Sequence, residues 1–367
     1  MRTTRLLFVG GFLGAGKTTL LWRAAESLLK RGLRVGLITN DQAPDLVDTR
    51  LLSQHGLNVR EVAGSCFCCN FQGLIDAAES LLSLDADVLI SEPVGSCTDL
   101  SATILQPLKD KLGDRFALCP LSVLADPQRL HDILGDGSQA LHASAAYIFR
   151  KQLEEADLLV VNKIDSMPFA ERDPISQLLA ARFPQASVRF LSARTGEGVE
   201  VWLDEVLSTH QAGTHIVDVD YDVYAEGEAV LGWLNANIQL SAVTENAEWG
   251  TFCSDLLHAL HAGFCETQAR IGHVKLLLTA DGGHYAGNLT DLGCKPVLQG
   301  RIEGAPVQAN LILNARVEMS PEKLERIVRD TLTKTADRRV QMEVRNLRCL
   351  RPGRPRPTHR YRTVVES

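Results

Sequence analysis

The chain has 367 residues, 45% of them hydrophobic and 23% charged, which is ordinary soluble composition and enough length for two domains with their own cores. No apolar run approaches the length of a membrane span, and 38 basic against 45 acidic side chains leave a net charge of −7. That balance excludes nucleic acid as the main partner, because phosphate neutralisation needs a basic face. The basic start, Met1 to Arg5, runs straight into an apolar strand and does not read as a signal peptide. Nine cysteines, an odd number unevenly spaced, read as reduced thiols, some of them metal ligands, in a cytoplasmic protein.

The first strand, Leu6-Leu7-Phe8-Val9, leads into Gly11-Phe12-Leu13-Gly14-Ala15-Gly16-Lys17-Thr18, which satisfies G-x-x-x-x-G-K-[ST] in full. An amphipathic helix follows, with Leu20, Leu21, Ala24, Ala25 and Leu28 on one face. This is a phosphate site, formed by Gly11, Gly14, Ala15, Gly16, Lys17, Thr18 and Thr19. The glycines let successive N–H groups converge at a helix N-terminus. Lys17 is expected to reach the β- and γ-phosphates and the Thr18 hydroxyl to ligate Mg²⁺.

A second buried strand over 35–39 closes on Asn40-Asp41-Gln42. Loops at the carboxyl ends of parallel strands face the ligand, so Asp41 is expected near the nucleotide metal. Asp41, Asp45 and Asp48 read either as a first switch loop or as helix capping by Asp45 with solvated charge for the rest. A third strand, 58–62, runs into Gly64-Ser65-Cys66-Phe67-Cys68-Cys69-Asn70 and a helix. The next strand, 88–91, ends on Glu92-Pro93-Val94-Gly95. A carboxylate at such a strand tip takes the Walker-B position, so Glu92 is expected to hold Mg²⁺, and the Gly95 N–H to sense a γ-phosphate in a second switch over 92–100. Further strands at 117–124 and 158–161 alternate with helices, which predicts a mostly parallel sheet covered on both faces.

The strand at 158–161 delivers Asn162-Lys163-Ile164-Asp165. In this N-K-x-D pattern the Asp165 carboxylate can accept both the N1–H and the N2 amino protons of guanine. Asn162 is expected at the base edge, with the Lys163 stem over the ring face. In Ser192-Ala193 a backbone N–H is aimed at guanine O6, so the nucleotide is read as GTP rather than ATP. A polar stretch at 208–216 marks a boundary, dividing the chain into a P-loop GTPase domain over 1–210, a smaller αβ domain over 216–350 and a tail over 351–367. The middle part runs strand, helix, strand twice, which predicts a ferredoxin-like sheet with an added hairpin over 284–301. The basic, Pro-rich tail reads as an extended surface segment, or as a docking arm for an acidic partner.

Three thiols within four residues, Cys66, Cys68 and Cys69, are more than packing requires. Thiolates suit Zn²⁺ and softer ions. Such a run needs a bent backbone to point three sulfurs at one ion, and a fourth ligand from elsewhere. Cys97 is a candidate, although a small packed thiol is its plainer reading. A second copy of the chain is another source, so a homodimer also fits. In the carboxyl-terminal domain His258, His261 and Cys265 share a helical stripe; this reads as a second metal locus or, more plainly, as helix-edge side chains.

The run Gly10 to Leu21, the C-x-C-C at 66–69, Glu92-Pro93-Val94-Gly95 and Asn162-Lys163-Ile164-Asp165, in that order, resemble the CobW-type P-loop GTPases. These are relatives of the GTPases that help load nickel into urease and hydrogenase. The resemblance is close over residues 5–207. It implies a GTPase that binds a divalent metal through Cys66, Cys68 and Cys69, with Zn²⁺ first and Co²⁺ or Ni²⁺ as alternatives, and passes it to a client metalloprotein when GTP is hydrolysed. Two features depart from the family. The His-rich loop many members carry near the domain junction is missing, and Asn40-Asp41-Gln42 lacks the usual Glu. Two other classes of function stay open: a regulatory GTPase that docks on a client enzyme with structural cysteines, and a P-loop kinase or biosynthetic enzyme.

Overall fold

The computed structural model describes residues 3–42, 46–135, 142–243, 248–293 and 295–366. They fall into two compact units, one comprising Met1–Gln42, Leu52–Gly227 and Arg354–Ser367, the other Ala43–Leu51 and Glu228–Gly353.

The strands of the first unit are β1 (Thr4–Gly11), β2 (Val35–Asp41), β3 (Asn58–Ala63), β4 (Val88–Glu92), β5 (Phe116–Leu118), β6 (Ser122–Ala125), β7 (Leu158–Val161) and β8 (Ser187–Phe190). They form a parallel sheet in the order β3-β2-β4-β1-β6-β7-β8, with β5 also paired to β1. The helices along this stretch are α1 (Lys17–Lys30), α2 (Val47–Gln54), α3 (Phe71–Leu82), α4 (Gln106–Leu112), α5 (Pro127–Leu134), α6 (Ala143–Glu154), α7 (Arg172–Arg182), α8 (Val199–Ser208) and α9 (Tyr221–Ala229). Apolar runs such as Leu6 to Val9 have no solvent-facing side, because both faces of a parallel sheet are covered. On one face Leu7, Val9, Leu20, Ala24, Val160 and Trp202 form a continuous core. The Trp202 indole donates to Ser122 Oγ at 3.0 Å, satisfying its one polar atom. The expected strand over 117–124 is two short strands, since Pro120 in the gap has no N–H to give a ladder.

The second unit holds β9 (Gly232–Ala242), β10 (Ile271–Ala280), β11 (Gly283–Leu289), β12 (Val297–Ile302), β13 (Gln308–Val317) and β14 (Val340–Leu350), with α10 (Trp249–Glu266) and α11 (Pro321–Ala336). Every pairing is antiparallel, in the order β12-β11-β10-β13-β9-β14. The four strands of the two βαβ halves therefore run fourth, first, third, second, which is the ferredoxin-like order, extended at one edge by the expected hairpin. Alternation decides the faces: Leu276 and Leu278 join the core with Leu256, Leu260, Leu324 and Val328. Leu277, with Ile312, faces the other way and packs on Val47.

Val47 N–H also donates to Asn314 Oδ1 at 2.8 Å, and Lys275 Nζ pairs with Asp48 at 2.6 Å. Asp48 is thus a structural anchor of the second unit, which corrects its reading as a switch or solvated carboxylate; Asp45 lies outside the described residues. The unit division falls at Gly227 rather than at 208–216, because α9 continues the first unit.

The tail is an extended, largely exposed segment, in keeping with its first reading. Residues 354–366 have no helix or strand, but they are tied to the first unit throughout. Thr358 N–H donates to Cys68 O at 2.7 Å and Tyr361 N–H to Ala102 O at 2.9 Å. Arg360 Nε donates to Asp99 Oδ2 at 2.6 Å, and Val365 N–H to Gln106 Oε1 at 2.8 Å. A basic extended segment binds here because the body offers a buried carboxylate: Asp99 is 0% exposed and sits at φ 67°, a left-handed conformation that Asp tolerates. Burial raises its pKa, while Tyr221 and Arg360 pull it back down. Replacing Arg360 with Ala should therefore destabilise the protein by about 2 kcal/mol, seen as a lower denaturant midpoint. Adding Asp99→Asn to that variant should recover part of the loss, whereas Arg362→Ala alone should stay within about 0.5 kcal/mol of wild type.

Candidate nucleotide and metal site

The phosphate loop lies between β1 and α1, and its three glycines have positive φ. At Gly16 an added Cβ would lie 2.4 Å from Asn162 Nδ2, so that position is closed to any side chain. Lys17 Nζ donates to Gly11 O at 2.8 Å and stands 3.8 Å from Glu92 Oε1. Thr18 Oγ1 donates to the Glu92 carboxylate at 3.0 and 3.3 Å. The Walker-B carboxylate at the end of β4 thus meets the lysine and threonine of the loop. Asp41 ends β2, the strand next to β4, and is 6% exposed.

The N-K-x-D segment is gathered at the end of β7. Asn162 Nδ2 donates to Ala15 O at 2.8 Å, and its Oδ1 accepts from Ala193 N–H at 2.9 Å. Asn162 thus braces the phosphate loop against the 192–193 turn. Lys163 sits at φ 64° and forms an ion pair with Asp126. Asp165 accepts from Ser192 Oγ at 2.5 Å and pairs with Arg194.

The thiols sit on a turn between β3 and α3. Cys69 N–H and Asn70 N–H both return to Cys66 O, at 3.0 and 2.9 Å, supplying the bent backbone the motif needs. Asn70 then caps α3 through Gly73 N–H. The Sγ atoms of Cys66 and Cys68 are 3.0 Å apart and those of Cys68 and Cys69 3.8 Å, with all three within 4.8 Å of one another. Cys66 and Cys68 are 3% and 2% exposed. Neighbouring thiols, Cys66 foremost, together with burial push the Cys68 pKa up.

One attachment joins this turn to the end of β2. Asn40 Nδ2 donates to Val62 O at 2.7 Å and Ser65 O at 2.8 Å, and its Oδ1 accepts from Phe67 N–H at 2.9 Å. After β4, Gly95 lies against the phosphate loop, where an added Cβ would be 2.7 Å from Leu13 Cδ2 and 3.1 Å from Lys17 Nζ. Gln152 Nε2 donates to Gly95 O at 3.0 Å and to Cys97 O at 2.7 Å. Glu155, whose pKa burial pushes up to about 8, accepts from Thr98 Oγ1 and Ser101 N–H. From the tail, Arg356 N–H donates to Cys69 Sγ at 3.2 Å.

Sequence reasoning did not single out Asn40 as a clamp, nor Gln152, Glu155 or the tail contacts. An amide following an apolar strand was the only trace of the first. Of the second locus, Cys265 Sγ and His261 Nε2 lie 3.6 Å apart, but the three residues do not form an ion-holding cluster. His258 Nδ1 lies 2.8 Å from Ser254 O of its own helix and His261 Nε2 2.8 Å from Leu292 O. Among the described residues Cys66, Cys68 and Cys69 are the one cluster of His, Cys, Asp or Glu able to hold an ion. No helix among them is long and apolar enough to cross a membrane.

The model of the CobW/HypB/UreG nucleotide-binding domain matches residues 5–188. The zinc chaperone CobW of Pseudomonas aeruginosa is 29% identical over 220 residues, 52% of this chain and 56% of that protein. The zinc chaperone YeiR of Escherichia coli is 30% identical over 171 residues, 44% of this chain and 47% of that protein. The chain thus spans about half the length of these relatives. A crystal structure of HypB from Helicobacter pylori in complex with nickel superposes with a TM-score of 0.43 at 16% identity, covering 60% of this chain and 92% of that one. With the phosphate loop, the Glu92 strand tip and the thiol turn assembled in one parallel sheet, and a family match over half its length, the chain belongs to the CobW/HypB/UreG family.

Proposed function

We propose that this chain is a GTP-hydrolysing metallochaperone that binds a divalent ion, Zn²⁺ first, through Cys66, Cys68 and Cys69 and yields it to a client metalloprotein according to the state of the nucleotide. One observation carries the reading: the thiol turn is fastened through Asn40 to the end of β2, the strand paired with β4, whose tip carboxylate Glu92 meets Lys17 and Thr18 of the phosphate loop. The relatives named zinc chaperones support the cargo, as does the match of thiolate ligands to zinc. Reduced thiols at the site suit the cytoplasm.

In this reading Gly11, Gly14, Ala15, Gly16 and Thr19 hold the phosphates by backbone N–H groups while Lys17 meets the β- and γ-oxygens. Asp165 pairs with guanine N1–H and the N2 amine, held in aim by Ser192, and Lys163 flanks the base. The oxygen donors Thr18 and Glu92, with Asp41 on the neighbouring strand, fit a hard cation, and Mg²⁺ held there supplies charge neutralisation for the transferred phosphoryl group. Water converts GTP to GDP and phosphate. Gly95 N–H then loses its phosphate contact, and the loop it leads is free to shift.

Zinc affinity with a non-hydrolysable GTP analogue should exceed that with GDP by at least about tenfold, a coupling of about 1.4 kcal/mol; equal affinities in a competition titration would remove the transfer mechanism. Joint replacement of Cys66, Cys68 and Cys69 by Ser should abolish zinc binding and leave GTP affinity within about threefold. Asp165→Asn should weaken GTP by about 100-fold, because two guanine donors lose their acceptor, while xanthosine triphosphate, with an oxygen at that position, becomes the better ligand. Unchanged preference for GTP in that variant would refute the guanine assignment.

A further inference from the structure

We propose that Arg23 is a positioning residue for guanine recognition. From helix α1 its guanidinium holds the 193–194 turn in the place that Asp165 needs, and so sets how well the site tells a guanine from an adenine nucleotide. The inference rests on the reading of Asp165 as the guanine acceptor; it adds a residue that belongs to no motif of that reading.

The first ground is what the guanidinium spans. Arg23 stands on α1, the helix that begins in the phosphate loop. Its Nε donates to Ala193 O at 3.3 Å and its Nη2 to Arg194 O at 2.8 Å, so one planar fork bridges two consecutive carbonyls. The side chain is itself held. Its Cζ lies 4.4 Å from the centroid of the Trp22 ring, which stacks on His55 at 4.8 Å with the planes 23° apart. The remaining nitrogen, Nη1, pairs with Glu26 at 3.3 Å.

The second ground is what the turn does for Asp165. Ser192 Oγ donates to Asp165 Oδ1 at 2.5 Å and accepts from Thr195 N–H at 3.1 Å, and the Arg194 guanidinium pairs with Asp165 Oδ2. Both oxygens of the carboxylate are therefore aimed from residues 192 and 194. An ionised carboxylate has about four acceptor sites, so these two bonds leave room for the two guanine donors. Within the turn Ser192 N–H donates to Glu197 O at 2.9 Å and Ser192 O accepts from Gly196 N–H at 2.8 Å. Ala193 N–H goes to Asn162 Oδ1 at 2.9 Å. The carbonyls of 193 and 194 have Arg23. Without it they turn to water, and the peptide planes that carry Ser192 and Arg194 gain freedom to rotate.

The third ground separates base from phosphate. The partners of Arg23, namely Ala193, Arg194, Glu26 and Trp22, all lie outside the phosphate loop. Contacts of Lys17, Thr18 and the loop backbone with phosphates are common to GTP and ATP, whereas the two bonds to Asp165 are available to guanine alone. Loosening the 193–194 turn thus costs guanine binding and spares both the phosphate grip and the hydrolytic step.

The test measures affinity of the full chain for GTP and for ATP, together with steady-state GTP hydrolysis. Arg23→Ala should weaken GTP about tenfold and leave ATP within about twofold, with the KM for GTP rising and kcat changed by less than about twofold. Arg23→Lys, whose ammonium reaches one carbonyl rather than two, should fall between, about threefold weaker for GTP. Glu26→Gln removes the ion pair but neither carbonyl bond and should keep the wild-type ratio. Equal losses for GTP and ATP, or an unaltered ratio in a folded Arg23→Ala, would overturn the assignment while leaving the guanine reading intact; Arg23→Lys decides by the same ratio if the alanine variant does not fold. Wild-type protein that binds ATP as well as GTP would end both.

Discussion

Between the end of β4 and the π-type turn at Ser101–Leu105 the chain makes two contacts that the site depends on. Gly95 is pressed against Lys17 and Leu13 of the phosphate loop, and Cys97, buried beyond it, is held through its carbonyl by Gln152. The two are separated by one residue and share a brace in Gln152, so there is no slack between them. Close-packed interiors transmit small displacements because no void is available to absorb them. A glycine is required at 95 for this contact, since a Cβ there would lie 2.7 Å from Leu13.

The thiol turn is held from two directions. Asn40 fills the hydrogen-bonding needs of three backbone groups of the 62–67 segment at once, turning the end of β2 into a clamp on the cysteines. The tail closes over the turn from outside, one strap fastened at Cys68, Cys69, Asp99, Ala102 and Gln106. Its conformation is extended because prolines at 352, 355 and 357 remove donors and disfavour helix, leaving the backbone free to bond outward. Asp99 explains why the strap is basic: a carboxylate with no solvent exposure needs a cation, and among the described residues Arg360 reaches it.

The second unit has a separate logic. Its antiparallel sheet is covered by α10 and α11 on one face, and the strand alternation that buries Leu276 and Leu278 on that side sends Leu277 to the other. Residues 46–51 group with this unit, anchored by Asn314 and Lys275. The acidic stretch after β2 therefore has a partner in a lysine 227 positions away, a pairing with no local signature.

Local motifs were legible from the amino acids alone, because each encodes a backbone turn within a few residues. The glycines and Lys17-Thr18 specify a phosphate loop, the spacing of Cys66, Cys68 and Cys69 a bent thiol turn, and the strand and helix periods the parallel sheet and the ferredoxin-like order. Partner choice across long separations was not legible. That Asn162 braces Ala15 and Ala193, that Asp48 serves Lys275, and that a tail 287 positions beyond Cys69 lies against its sulfur are outcomes of which surfaces meet once the layers pack. A side chain's type limits what it can bond to, but its partner is whichever unsatisfied group the folded chain brings within reach, and only the tertiary structure decides that.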